Sequence, residues 1–171
     1  MAGRLFVIVG AIVAVILQIV LAPYIAIGPG MPNFVVIFAV VVAVAAPHSY
    51  GCILPFAMGM AFDLTSGGPV GAMSFSLTLF TFLLARYFGH IGNDSLFMSL
   101  AFIALGVLLV ELSYGIFLLL FGFNASLFEA LAYRIAPCFV YDLVVAFVLF
   151  PLVGRFVQPA VVTRTDITQL R

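Results

Sequence analysis

Long apolar runs separated by short polar or glycine- and proline-rich breaks dominate the chain. A helix needs about 20 apolar residues to cross a bilayer core of about 30 Å, because lipid offers no partner to unpaired backbone groups. The pattern predicts six apolar helices in succession. Their bounds are 5–27, 32–46, 50–63, 70–88, 95–121 and 135–157.

The second and third runs are shorter than the others. Their 15 and 14 residues give only about 21–23 Å of helix at 1.5 Å per residue, which is less than the thickness of the bilayer core. They can form two short spans sheltered by longer neighbours, or a re-entrant hairpin that does not cross. We favour two short spans, and both alternatives return the chain to the same side of the membrane at Thr65.

Composition excludes a water-soluble protein. Apolar residues of the AVILMFWYC set make up 66% of the chain and charged residues 7%, so the charges are too few to cover an exterior in water. The arginines and acidic residues cancel, which leaves no basic surface for nucleic acid. We therefore predict an all-α integral membrane protein with one domain, residues 1–162, and a polar tail, residues 163–171.

The arginines predict the orientation, because positive charge is in excess on the cytoplasmic side of membrane proteins. With six spans and the N-terminus inside, the outer segments hold only Arg134. Both termini are then cytoplasmic. The inner arginines are Arg4, Arg86, Arg155, Arg164 and Arg171.

Ionisable side chains within a membrane are costly and normally have a partner or a function. Glu111 lies within the fifth run and Asp142 within the sixth, both in the outer half, where Gln18 also falls. Since these two runs are consecutive, Glu111 can meet Arg134 or Asp142 across the hairpin. Either Arg134 pairs with a carboxylate, or one carboxylate is protonated and donates a hydrogen bond.

We interpret these side chains as an intramembrane polar cluster that joins helices or faces a partner. A bond of this kind between helices contributes about 0.6–2 kcal/mol. A small-molecule site or a proton path is the alternative. Tyr114 shares a helix face with Glu111, and Tyr141 adjoins Asp142. The predicted cluster consists of Gln18, Glu111, Tyr114, Arg134, Tyr141 and Asp142.

Asp63 ends the third run and precedes a glycine-rich break. A carboxylate at a helix C-terminus opposes the helix dipole unless hydrogen-bond donors lie nearby. The Ser66-Gly67-Gly68-Pro69 turn and the free N–H groups of the next helix can supply those donors. We expect Asp63 to join the third helix to the fourth, and Gly59 to leave room for close helix packing. Gly10, Ala11 and Ala14 form a similar small-residue ridge on the first helix.

No catalytic or metal-binding pattern accompanies these residues. His48 and His90 fall in different predicted loops, and two cysteines are too few for a disulfide framework. The chain has no nucleophile elbow, zinc helix or phosphate loop. We therefore expect no enzyme activity, no metal site and no cofactor.

The segment from Pro32 to Gly71 resembles the MreD family of bacterial rod shape-determining membrane proteins. Many members carry aspartate where Asn33 stands, so we assign no charge-dependent role to that position. The resemblance rests on Leu17-Gln18-Ile19, Pro32-Asn33, Pro47-His48, Phe56–Gly67 and Pro69-Val70-Gly71. The candidate structural or partner-facing motif is Gly59, Asp63, Ser66, Gly67, Gly68, Pro69 and Gly71.

The resemblance implies a non-enzymatic scaffold in the bacterial cytoplasmic (inner) membrane, within the machinery that inserts peptidoglycan along the side wall. The implied partner is MreC, and through it MreB filaments, a RodA-type polymerase and a class B penicillin-binding protein. The family is also similar in fold to the substrate-binding subunits of energy-coupling-factor vitamin transporters. The alternative function is therefore such a subunit, with a vitamin-sized ligand in the polar cluster. The motif around Asp63 and the absence of tryptophan favour the scaffold.

Overall fold

The computed structural model describes residues 2–26, 30–46, 51–91, 96–122 and 136–157. Arg134, the Pro47-His48 turn and the predicted tail lie outside these residues. The regular structure of the described part is entirely α-helical, as predicted. Its helices are α1 (Ala2–Val20), α2 (Phe34–Ala45), α3 (Ile53–Ser66), α4 (Ala72–Ile91), α5 (Leu96–Leu120) and α6 (Ala136–Val157).

Three of these helices are long and apolar enough to cross a membrane, namely α1, α5 and α6. The apolar helices 34–45, 53–66 and 72–88 are shorter. Large apolar side chains also cover much of the outside of the bundle, with Leu5 65%, Ile12 55% and Val148 73% exposed. Such a surface is stable against lipid and would associate in water.

The end of α1 differs from the prediction. The helix ends at Val20 and not at Ile27, because Pro23 lacks the N–H group that a continuing helix needs. The chain tightens after the helix, and the N–H of Tyr24 donates to the carbonyl of Leu21 at 3.0 Å. The first run was therefore predicted too long.

The third helix is displaced toward the C-terminus relative to the predicted range 50–63. It begins at Ile53 and ends at Ser66. The next residue, Gly67, has a φ of 68°, a left-handed conformation that glycine adopts without steric cost and that commonly ends a helix. Asp63 thus lies in the last turn of α3 and does not end it.

The central helix of the bundle is α2. Nearly all of its 12 residues are buried, and it packs against the five other helices of the described part. At about 18 Å it is shorter than a bilayer core, so it does not reach water at both ends. Glycines admit its larger side chains, since a Cβ at Gly10 of α1 would lie 2.5 Å from Phe38 and one at Gly106 of α5 would lie 2.9 Å from Val40.

Candidate functional site

The carboxylate of Asp63, a residue only 2% exposed, holds the start of α4. Its Oδ2 atom accepts hydrogen bonds from the N–H groups of Gly71 and Ser74, each at 3.0 Å, and from the Ser74 hydroxyl at 2.7 Å. Its Oδ1 atom accepts from the N–H of Met73 at 3.0 Å. Both oxygens of this carboxylate are therefore in use.

Asp63 completes the hydrogen bonding of the first turn of α4. The N–H of Ala72 donates to Pro69 and that of Phe75 to Gly71, so each N–H from residue 71 to residue 75 has an acceptor. The first N–H groups of a helix have no partner within the helix, and lipid supplies no water. A negative charge at this end also suits the helix dipole. Asp63 is thus an N-cap that the preceding helix supplies.

The donors to Asp63 come from one of the two predicted sources. The Ser66-Gly67-Gly68-Pro69 turn and the free N–H groups of the next helix were both expected, and the donors are the backbone of residues 71, 73 and 74 and the side chain of Ser74. The reason is the displacement of α3, which ends at Ser66, so that Gly67 follows its last turn. Ser66 is the exposed last residue of α3, and Pro69 is buried in the turn.

Gly59 brings the two helices close enough for these bonds. It lies one turn before Asp63, and a Cβ at this position would lie 2.5 Å from Cα of Ser74. The contact is between backbones, as the sequence predicts for a small residue at a helix interface. Gly59 and Asp63 therefore act together to fix α3 against α4.

A second set of side chains caps the start of α2. The N–H of Phe34 donates to Oε1 of Gln18 at 2.8 Å, and the N–H of Asn33 donates to Oδ1 of Asp142 at 2.7 Å. Oδ1 of Asn33 accepts from the N–H of Val36 at 3.3 Å, which makes Asn33 the N-cap residue. Helices α1 and α6 thus supply acceptors to the buried start of the central helix.

The start of α2 is also held from α5. Nδ2 of Asn33 donates to Oε1 of Glu111 at 3.2 Å, so Asn33 contacts both Glu111 and Asp142. Asn33 thus brings the two carboxyl groups to the same helix start. The structure therefore brings Gln18, Glu111 and Asp142 together, as the sequence suggests, but around a residue that was not predicted to belong to this group.

The sequence around Asn33 contains a signal for this capping role. Asn33 directly precedes an apolar helix, and asparagine is one of the preferred N-cap residues. The short length of the second run indicates in addition that its start lies where water cannot reach. Together these two features point to a capped helix start within the membrane.

The two tyrosines of the predicted cluster contact neighbouring segments. Tyr114 lies against the turn after α3, since a Cβ at Gly68 would lie 2.5 Å from its hydroxyl oxygen. The hydroxyl of Tyr141 donates to the carbonyl of Ile25 at 3.2 Å. Because Tyr114 follows Glu111 by three residues, one turn of α5 contacts both the start of α2 and the turn that precedes α4. Arg134 cannot be placed among these contacts, because it lies outside the described residues.

Asp142 differs from Asp63 in its unused oxygen. Oδ2 of Asp142 has no hydrogen-bond partner within the described part of the chain, and the residue is 0% exposed.

In the same part of the chain, no group of three or more histidine, cysteine, aspartate or glutamate residues could hold a metal ion. The carboxylates of Asp63, Glu111 and Asp142 accept hydrogen bonds from backbone, hydroxyl and amide groups. Their role in these contacts is to stabilise the fold.

We expect Asp142→Asn to leave the free energy of unfolding nearly unchanged and Asp142→Ala to lower it by about 1–3 kcal/mol. Asparagine keeps an acceptor for the N–H of Asn33, and it removes one of two neighbouring carboxyl groups. Alanine leaves that buried N–H without an acceptor. Unfolding by SDS in detergent micelles measures both variants, and equal losses would contradict the assigned role.

The outer surface of the bundle suits lipid, and buried polar side chains cap the starts of two helices. These features define an integral membrane protein of the helical-bundle class. The family model for rod shape-determining protein MreD matches residues 2–160. This protein therefore belongs to the MreD family, which confirms the resemblance found in the segment from Pro32 to Gly71. The family consists of structural membrane proteins and gives this chain a role in rod shape determination. Searches of curated proteins and of solved structures gave no match.

Proposed function

We propose that this protein is a non-enzymatic scaffold of the bacterial cell-elongation machinery, which binds MreC and helps to position the side-wall peptidoglycan synthases. The observation that supports a scaffold is the use of its buried carboxylates. Asp63 and Asp142 accept from backbone N–H groups near helix starts, and Glu111 accepts from the amide of Asn33. These groups stabilise the bundle, and its apolar outer faces are left to bind membrane partners.

We further propose six spans in the cytoplasmic membrane with both termini in the cytosol. Arg4, Arg86 and Arg155 lie near the start of α1 and the ends of α4 and α6. The capped helix starts lie at the opposite end of the bundle, where Tyr141 of α6 meets Ile25 beyond α1. Arginines at one end and carboxylates at the other support this orientation.

The orientation predicts an asymmetric labelling pattern. Cysteines are placed singly at Ser66, which is exposed at the capped end of the bundle, and at Asn93, in a background that lacks Cys52 and Cys138. An impermeant thiol reagent added to intact cells or spheroplasts should label only the cysteine at position 66, and permeabilised cells should show labelling at both positions. Labelling at position 93 from outside would contradict cytoplasmic termini.

We propose that the partner's transmembrane helix lies in a groove between α1 and α3. The groove has a volume of about 320 Å³ and an apolar lining that includes Ala11, Ala57 and Ala61. Small residues allow helix backbones to approach closely, which is the main source of helix association in lipid. The groove follows α3 beside Gly59 and Asp63, so the capped start of α4 stabilises one of its walls.

Capture of MreC from co-expressing cells tests this proposal. We expect Ala57→Leu to fill the groove and to lower MreC capture severalfold at unchanged accumulation. The matched control is Ala101→Leu, which enlarges another exposed alanine on α5 away from the groove. Equal capture by both variants would exclude this groove, and no capture by the unsubstituted protein would contradict the scaffold.

A vitamin-transporter subunit is the alternative, and it requires a bound small molecule. The groove between α1 and α3 does not include Gln18, Glu111 or Asp142, which are engaged with the start of α2. Native mass spectrometry of the purified protein distinguishes the two functions. A stoichiometric vitamin-sized ligand would favour transport, whereas co-purified MreC supports the scaffold.

A further inference from the structure

A separate crevice opens between α2, α3 and α4, at the end of the bundle opposite the capped helix starts. Its volume is about 230 Å³. Small residues form much of its wall, including Ala39 and Ala43 of α2, Ala46 directly after it, and Ala85 of α4. From residue 39 to residue 46 the wall extends about 10 Å along α2, at 1.5 Å per residue.

The polarity of the crevice changes along its length. Thr81 lies at the inner part, and its hydroxyl is engaged with the carbonyl of Leu77 at 2.6 Å. The exposed Arg86 lies at the mouth, where Ala46 follows the end of α2. The crevice therefore has an apolar interior and a cationic mouth. A phospholipid in the adjacent leaflet has the matching arrangement, with its acyl chain at the depth of the interior and its headgroup at the level of the mouth.

Charge at this end of the bundle favours an anionic headgroup. The charged side chains that the structure describes at this end are Arg4, Arg86 and Arg155, all exposed. The carboxylates that it describes, Asp63, Glu111 and Asp142, lie toward the other end. Arginine presents five N–H donors in a planar arrangement that suits phosphate oxygens, and basic sites between transmembrane helices bind anionic lipid headgroups.

We propose that this crevice binds one anionic phospholipid, with an acyl chain between α2, α3 and α4 and its phosphate on Arg86. The site differs from the groove between α1 and α3, although Leu54 lines both. A bound lipid fills space between the central helix and two neighbours, so it stabilises the bundle as well as occupying its surface.

The test uses the full-length protein in nanodiscs of phosphatidylcholine that contain a minor fraction of phosphatidylglycerol. Native mass spectrometry after release into detergent counts the phosphatidylglycerol molecules that remain bound. We expect one retained molecule, and we expect Arg86→Gln to lower its retention about fivefold, as for the loss of one basic contact. Ala85→Leu should have a similar effect because it narrows the crevice without changing charge.

Matched controls distinguish a site from general surface charge. Arg155→Gln removes the same charge at the same end of the bundle, and Ala101→Leu adds the same volume elsewhere; both should retain the lipid. Equal loss from Arg86→Gln and Arg155→Gln would overturn the proposal, as would unchanged retention in Ala85→Leu. Displacement of the lipid by inorganic phosphate alone would also overturn it, because the acyl chain would then contribute nothing. Circular dichroism verifies that each variant is folded. Arg86→Lys keeps the positive charge and should therefore retain more lipid than Arg86→Gln.

Discussion

Asp63→Asn should lower the free energy of unfolding by about 2–4 kcal/mol, although it replaces a single oxygen atom by an NH₂ group. Both carboxylate oxygens of Asp63 accept hydrogen bonds, three at Oδ2 and one at Oδ1. Either orientation of the asparagine amide would place its NH₂ group against a backbone N–H at the start of α4. At least one buried donor would then lose its acceptor, and the negative charge at the helix N-terminus would be lost as well.

The matched comparison for this variant is Asp142→Asn, the same chemical change at another buried aspartate of the bundle. Oδ2 of Asp142 has no partner among the described residues, so asparagine should be tolerated there. Ser74→Ala provides an intermediate, because it removes only the side-chain bond to Asp63. SDS unfolding of the three variants should rank Asp63→Asn as the least stable. Similar stability of the two asparagine variants would refute the assigned role of Asp63.

Gly59→Ala is expected to destabilise the protein by about 2–4 kcal/mol. A Cβ at this position would lie 2.5 Å from Cα of Ser74 and 2.7 Å from its backbone nitrogen. Because both atoms belong to the backbone of α4, no side-chain rotation relieves the overlap. The helices must separate, and separation lengthens the hydrogen bonds of Asp63. The intrinsic preference of alanine over glycine in a helix, about 1 kcal/mol, offsets only part of this cost.

Gly154→Ala is the control for this second prediction. Gly154 lies within α6, and a Cβ there would meet nothing within 4 Å. The same substitution should therefore be neutral or slightly stabilising, through helix propensity alone. Thermal unfolding in detergent, followed by circular dichroism, measures both variants. If the two glycine substitutions had the same effect, close packing of α3 on α4 would not contribute to stability.

These two variants also bear on the proposed partner site. Gly59 and Asp63 lie on α3, which forms one wall of the groove between α1 and α3. Their substitution should reduce MreC capture together with stability, whereas Ala57→Leu should reduce capture at unchanged stability. Comparing capture with stability across the three variants therefore separates loss of the helix framework from obstruction of the docking surface.

Sequence alone predicted the class of the protein, the approximate position of each helix and the family. These properties depend on local patterns, namely runs of apolar residues and a motif around Asp63. It also predicted that Asp63 would join α3 to α4, because the residues involved are close in the chain. The ends of helices were less predictable. Helix α1 ends at Val20 because Pro23 follows, and α3 extends to Ser66, where the left-handed conformation of Gly67 ends it.

The role of the second polar group depended on tertiary structure. Gln18, Glu111 and Asp142 come from three different helices, and nothing in their spacing indicates that they meet at Asn33. They meet because α2 is too short to reach water at its start and is surrounded by other helices. Unpaired N–H groups are costly there, and only side chains from neighbouring helices can act as acceptors. The sequence thus determined which polar groups enter the membrane, and the packing around α2 determined what they bind.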